Sequence, residues 1–292
     1  MRTRPLGPDA PAVSVVGFGG MPLSTPGRPD DEAEAIRVIH ASLDGGVTLI
    51  DTADAYCQGE HEVGHNERLV AKALRQWKGA RESVIIATKG GIERRGAEWI
   101  VNGRPEYIRK ACDRSLKALG VERIDLYQHH RPDPGVPFLE TIGAFAELER
   151  AGKVRWVGLS NVDVDEIEAA RRLVPIATVQ NRLNPFFREA LERGVVPHCD
   201  GEGIGFLAYS PVGGGRLNKK LPSHPVVAGI ARRLHCSAHA VVLAWVLTQG
   251  TSVIIIPAAR TVEHAADALT AADIALSDAD RDALDRAEFS RA

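Results

Sequence analysis

The chain has 292 residues, 44% of them hydrophobic and 25% charged, enough apolar material for a large core. That length fits two ordinary domains or one α/β barrel. Its 36 basic and 38 acidic side chains leave a formal charge of −2, which excludes a bulk pull toward nucleic acid or an anionic membrane and favours small-molecule partners.

At the N-terminus, arginines are followed by Pro and Asp where a secretion signal needs a continuous apolar stretch. The longest apolar runs, such as "SVIIIPAA", fall far short of the roughly 20 residues of a membrane span. Cys57, Cys112, Cys199 and Cys236 form no CxxC pair, so four reduced thiols in a cytoplasmic protein are expected. Short Val- and Ile-rich runs then recur with helical patterns between them, the alternation of parallel strands joined by crossover helices. Eight strands are expected, over 13–20, 47–51, 83–89, 124–130, 154–161, 176–181, 205–211 and 252–257. Between them, "DDEAEAIRVIHASLDGG" opens with acids and stops at glycines, and "RPEYIRKACDRSLKALG" has Pro105 near its start and Gly120 past its end. "FLETIGAFAELERAGK", "VDEIEAARRL", "HPVVAGIARRL", "AHAVVLAWVLTQ" and "TVEHAADALTAA" supply further helical periods, and "DADRDALDRAEFSRA" reads as a solvated C-terminal helix and tail. With no linker or low-complexity tract, the order predicts one domain over 1–292, a single (β/α)₈ TIM barrel with its active site at the C-terminal ends of the strands.

In such a barrel Asp51, Lys89 and His130 end strands two, three and four at one rim, and Tyr56 follows in the loop after Asp51. A phenol titrates near about 10, and a fixed ammonium beside it favours the phenolate, so Lys89 can help Tyr56 give up a proton. Asp51 would keep that lysine charged and oriented against an apolar wall, and His130 can donate to the same oxygen or relay a proton. These are the needs of carbonyl reduction, with hydride delivered from elsewhere. Of the pair His129 and His130, alternation lets one enter the lumen and makes the other a satisfied, helix-facing histidine, without saying which.

Over residues 13–275 the chain resembles an aldo-keto reductase. The motifs "GVTLIDTADAY", "GHNERLVAKAL", "VIIATKGG", "SLKALGVERIDLYQHHRPDP", "ELERAGKVRWVGLSN", "VQN", "AYSPV" and "IIIPAARTVEH" occur in that family's order. The resemblance implies a (β/α)₈ barrel that uses NADPH, in preference to NADH, to reduce aldehydes and ketones or to run in reverse on alcohols and sugars. It places the catalytic tetrad on Asp51, Tyr56, Lys89 and His130, the family's spacing selecting His130 over His129. It also implies that Ser160, Asn161 and Gln180 hold the nicotinamide carboxamide and that Tyr209 stacks on the ring. Ser210, Pro211, Val212, Gly213 and Gly215 would line the pyrophosphate, and the segment after Pro257, with Arg260, Thr261 and His264, would take the 2′-phosphate. Trp99 would belong to the substrate pocket, or else only cover the next helix. Some members of the family are cofactor-sensing regulatory or scaffold subunits, an alternative that four intact tetrad residues argue against.

Departures fall at Asp267–Ala268, where the family has an asparagine near the adenine, and at Arg216 in "GGGRLNKK". "GFGGMP" lacks the third spaced glycine of a Rossmann fingerprint and is expected as the first strand turning at the rim. Cys57, His61 and His65 share a metal-like spacing, but Gly59 and Gly64 interrupt any helix that would align them, and no metal is expected. Trp156 and Trp245 are expected in the core.

Overall fold

The computed structural model describes residues 1–292. The chain begins with an antiparallel hairpin, β1 (Thr3–Pro5) and β2 (Ala12–Ser14). Six strands up to the middle of the chain follow: β3 (Phe18–Gly19), β4 (Leu49–Asp51), β5 (Ile85–Gly90), a second hairpin of β6 (Ile92–Arg95) and β7 (Glu98–Val101), and β8 (Ile124–His129). The last four are β9 (Val154–Ser160), β10 (Ile176–Arg182), β11 (Gly205–Tyr209) and β12 (Val253–Ile255). Leaving out the two hairpins, the eight remaining strands form one parallel sheet in the order β12-β11-β10-β9-β8-β5-β4-β3. Its edges come together. The Gly17 N–H donates to the Ile255 carbonyl at 2.8 Å, the Ile255 N–H to Val15 at 3.0 Å and the Gly19 N–H to Pro257 at 2.9 Å, with a parallel bridge from Val16 to Ile255. This curled eight-stranded sheet fits the expected (β/α)₈ barrel.

Helices lie between the strands: α1 (Glu32–Asp44), α2 (His65–Gln76), α3 (Pro105–Leu119), α4 (Phe138–Arg150), α5 (Val164–Arg171), α6 (Glu189–Glu192), α7 (Val195–Glu202), α8 (Gly214–Leu217), α9 (Pro225–Leu234), α10 (Ala238–Leu247), α11 (Val262–Thr270) and α12 (Asp278–Arg286). Their ends follow local chemistry. Asp31 caps α1 by accepting the Ala33 N–H, Asp163 and Glu166 form a capping box on α5, and Gly120, at φ 68°, ends α3 in the left-handed conformation that a side chain would strain.

Period-two alternation splits the strands between two apolar layers. Leu49, Ile85, Ala87, Leu126, Leu207 and Ile254 belong to a nine-residue cluster closed at the strands' N-terminal ends by Leu6 and Val13 of the hairpin. Their neighbours Ile50, Ile86, Tyr127, Phe206 and Ile255 join the 66-residue cluster shared with the helices. Most of the burial therefore lies between sheet and helices, and no single helix is long and apolar enough to cross a membrane.

Four expectations change. The run 13–20 is not one strand: Ala12–Ser14 turns back on Thr3–Pro5, and only Phe18–Gly19 pairs with β4. No strand is expected between strands three and four, yet Ile92–Arg95 and Glu98–Val101 pair as the β6–β7 hairpin, which turns at Gly96. The C-terminal segment is not simply solvated, since Leu284 is buried, Asp285 accepts the Trp245 indole N–H at 2.8 Å and the Phe289 ring stacks on His224 at 4.2 Å. Trp245 is buried as expected, whereas Trp156 is half-buried at the hairpin and donates to the Asp9 carbonyl at 3.3 Å.

Candidate active site

Asp51 ends β4 and Lys89 lies near the end of β5, so parallel pairing brings both to the same rim. The Lys89 ammonium donates to Asp51 Oδ2 at 2.6 Å, to the Thr52 carbonyl at 3.0 Å and to the Tyr56 hydroxyl at 3.0 Å. All three of its N–H directions are thereby used. The Tyr56 ring meets His130 edge-on at 5.9 Å and the Trp99 ring at 6.1 Å. Asp51, Tyr56 and Lys89 are buried, Lys89 completely.

Burial decides the proton on the phenol. It raises the Tyr56 pKa, and the opposing Lys89 charge does not cancel the rise, so Tyr56 is a phenol at neutral pH. Burial works to discharge Lys89 as well, but Asp51 and Tyr56 outweigh it and the lysine titrates above its ordinary value. Burial, and then Lys89 and Arg131, hold His130 well below the usual histidine range, so its imidazole is neutral.

Two glutamines complete the support of Asp51. Gln180 of β10 donates to Asp51 Oδ1 at 2.7 Å and to Gln128 Oε1 at 3.2 Å, while Gln128 of β8 donates to the same Asp51 oxygen at 3.2 Å. Gln180 was expected at a carboxamide; its amide N–H₂ is occupied by Asp51 and Gln128. His129 faces helix α4, between Phe138 and Phe145 at ring distances of 5.9 and 5.7 Å, but it is not satisfied, for neither ring nitrogen has a partner.

The other expected residues fall on a second arc of the rim. The Ser160 hydroxyl donates to the Gln180 carbonyl at 2.7 Å; the Asn161 amide donates to the His130 carbonyl and to Ser160 Oγ, both at 3.0 Å, and accepts the Tyr209 hydroxyl at 2.8 Å. Asn161 and Ser210, at φ 59° and 49°, sit in the left-handed region at the ends of β9 and β11, a strain that collects at functional sites. The Ser210 carbonyl accepts the Gly213 N–H at 2.9 Å and an Asn184 amide N–H at 2.9 Å, which shapes the loop. Arg260 makes one long bond, to the Pro26 carbonyl at 3.4 Å. Thr261 caps α11 by accepting the His264 N–H at 3.2 Å, and Pro257 contributes its carbonyl to the sheet seam.

A cavity of about 580 Å³ joins these arcs. Asp51, Tyr56, Trp99, His130, Ser160, Asn161, Gln180, Tyr209, Ser210, Pro211, Val212, Gly215, Arg260 and His264 line it, whereas Lys89, Gly213, Pro257 and Thr261 do not. Lys89 lies behind the Asp51 and Tyr56 side chains. Met21, Pro22, Ile92, Val101 and Arg131 line the cavity too, without having been expected there. Gly19 to Pro22 could have been read from the "GFGGMP" turn at the rim; Ile92, Trp99 and Val101 arrive through the β6–β7 hairpin. Arg94 holds that hairpin, donating to the Gln58 and Ala97 carbonyls at 2.9 and 3.0 Å with its guanidinium over the Trp99 ring at 4.5 Å. At the departures, Asp267 accepts the Ser237 hydroxyl at 2.7 Å, Ala268 packs on the core and Arg216 donates to the Arg291 carbonyl at 2.5 Å. The Cys57 thiol donates to the Ala55 and Gly59 carbonyls while His65 meets Ser24.

Residues 15–288 match the family model described as Aldo/keto reductase family. The chain belongs to the aldo-keto reductase family. Among curated relatives, probable aldo-keto reductase 1 of Glycine max is 36% identical over 303 residues, covering 94% of this chain and 85% of the relative. An uncharacterized oxidoreductase of Schizosaccharomyces pombe is 35% identical over 269 residues, covering 91% and 83%. Two similar solved structures are the glycerol dehydrogenase of Gluconobacter oxydans, at 28% identity and a TM-score of 0.82 over 94% of this chain and 91% of that one, and an aldo-keto reductase from Klebsiella pneumoniae in complex with NADPH, at 26% and 0.80 over 98% and 95%. The resemblance read from the motifs is borne out, and as an aldo-keto reductase the protein is an enzyme of the oxidoreductase class.

Proposed function

We propose that the protein is an NADPH-dependent reductase of aldehydes or ketones, working in one closed (β/α)₈ barrel, with Tyr56 as the general acid. The observation that carries this reading is the buried Lys89 ammonium held between Asp51 at 2.6 Å and Tyr56 at 3.0 Å, behind the cavity wall to which those two side chains contribute.

The rest of the cavity suits a nicotinamide dinucleotide. Its volume of about 580 Å³ lies in the range of ligand pockets, and its lining joins an aromatic face, amide groups and a cation. The Tyr209 hydroxyl is tethered to Asn161, which fixes the plane of the ring for stacking on a flat heterocycle. Ser160 and Asn161 would hold the carboxamide, with Gln180, whose N–H₂ is spent on Asp51 and Gln128, offering only its Oε1 as an acceptor, and the backbone from Ser210 to Gly215 would line the pyrophosphate. Arg260, with one weak bond of its own, is free to pair with a 2′-phosphate, which favours NADPH over NADH. Asp267 is taken by Ser237, so the adenine amide contact of the family has no counterpart in that pair.

When bound, the cofactor supplies a hydride to the carbonyl carbon. Tyr56 gives its hydroxyl proton to the carbonyl oxygen, and the adjacent ammonium stabilises the phenolate left behind. Asp51, braced by Gln180 and Gln128, keeps Lys89 charged in a site that would otherwise discharge it. Neutral His130 can donate one ring N–H to the same oxygen and so orient the substrate. Ile92, Trp99 and Val101 form an apolar wall along one side of the cavity. The same groups serve alcohol oxidation in reverse.

Tyr56→Phe tests the assignment. Steady-state oxidation of NADPH with a panel of aldehydes and ketones should fall by at least about 100-fold, while a fluorescence titration shows cofactor binding retained. Full turnover in that variant would remove Tyr56 from the role.

A further inference from the structure

The loop that carries Tyr56 also buries two carboxylates for which the mechanism has no use. Asp54 lies between Asp51 and Tyr56, Glu67 lies in the first turn of α2, and both are fully buried. Glu67 accepts the hydroxyl of Thr88, the neighbour of Lys89, at 2.6 Å. Arg114 of α3 reaches Asp54 Oδ2 at 3.3 Å and is itself half-exposed. Four buried polar atoms at this place have no partner: Asp54 Oδ1, Glu67 Oε2, Ser115 Oγ and Tyr127 Oη.

Only one guanidinium, Arg114, touches the pair, while Arg68 spends its N–H groups on the Val63 and Glu62 carbonyls, so two ionised carboxylates would leave buried negative charge poorly compensated. A proton shared between them removes that charge and gives an orphan oxygen something to donate. We propose, resting on the reductase reading above, that Asp54 and Glu67 hold one proton between them at neutral pH and act as positioning residues for the Tyr56 loop, which loosens when alkaline solution removes that proton. Asp54 is itself a residue of that loop, two before Tyr56, and its backbone carbonyl accepts the Gly64 N–H at 2.7 Å, so a shift of its buried carboxyl displaces the segment that carries Tyr56.

The titration supports the geometry. Burial, and then Glu67, push the Asp54 carboxyl up to about 8, and burial raises Glu67 as well. The other titratable or charged groups facing the pair are Arg114, Tyr107 and Cys112 on α3, Arg68 on α2, Tyr127 on β8 and Cys57 in the loop itself. Burial raises the two tyrosines and two cysteines above their ordinary values, so none of them releases its proton first. A carboxyl raised above its unfolded value contributes fully below that value, and the contribution is lost as pH rises through about 8.

Asp54→Asn and Glu67→Gln mimic the protonated forms and provide two chances of a folded variant. Turnover of NADPH with an aromatic aldehyde, and thermal melting, are compared at pH 7 and pH 9. Wild-type turnover should fall by roughly tenfold more than that of a variant, as for a group titrating near pH 8, and its Tm should fall further than the variant's. Parallel profiles in wild type and both variants, for turnover and melting alike, overturn the proposal. If the wild type reduces no aldehyde at pH 7, the reductase reading fails by itself, and melting alone decides the pair: a variant that resists pH 9 supports it, and parallel melting overturns it.

Discussion

His129 is held between two phenylalanines with neither ring nitrogen bonded, and burial depresses its pKa from 6.5 to about 4. The unfolded chain therefore binds a proton that the folded one refuses, and stability falls as pH drops from about 6.5 toward 4. The linkage amounts to roughly 3 kcal/mol. His129→Leu should flatten this acid limb in urea unfolding at pH 7 and pH 5, and should leave turnover at pH 7 in place; an unchanged acid limb would contradict the reading. The neighbouring residue shows what sequence can say at this scale. Asp51, Lys89 and His130 were legible because each is a polar residue ending an apolar run. Gln128 shares the parity of His130, so period-two counting alone could have found it. Nothing local marks Arg94 as the clamp on Trp99, because an arginine in a polar hairpin reads as solvated until its carbonyl partners are known.

At the scale of elements, the eight runs named strands that do lie in the sheet, with ends displaced by a few residues. The displacement is greatest at the first run, where Val13 has a competing antiparallel partner in Arg4. Such a partner is non-local and has no signature in the run itself. The hairpin so formed is seated by two close approaches: a Cβ on Gly205 would lie 2.0 Å from the Leu6 carbonyl oxygen, and one on Gly7 would lie 2.0 Å from that of Ala177. Gly205→Ala should lift the hairpin and uncover Leu6 and Val13, at a cost of about 1–3 kcal/mol. Chemical denaturation should record that loss, and turnover at the opposite rim should change little. An unaltered stability would mean that the hairpin adjusts freely.

For the whole molecule, the hydrogen-bonded seam between the first and last strands places the loop after β3 beside the loop after β12, where Arg260 donates to Pro26. A dinucleotide gripped there would tie the two edges of the sheet together. Saturating NADPH at about 100 times its Kd should stabilise the fold by about 2.7 kcal/mol, read as a rise in Tm. Arg260→Ala should weaken NADPH by about tenfold and NADH far less, as expected for loss of a single charged pair to a phosphate. Equal loss for both cofactors would deny Arg260 the 2′-phosphate.

The half-exposed indole of Trp99 stands 6.1 Å from the Tyr56 ring, at the brink of the cavity. Indole emission overlaps the absorption of a reduced nicotinamide, so the protein contains its own optical gauge: excitation of tryptophan should report occupancy by energy transfer, without any added dye. Of the four tryptophans, Trp99 alone lines the cavity, and replacing it with phenylalanine should remove most of that signal.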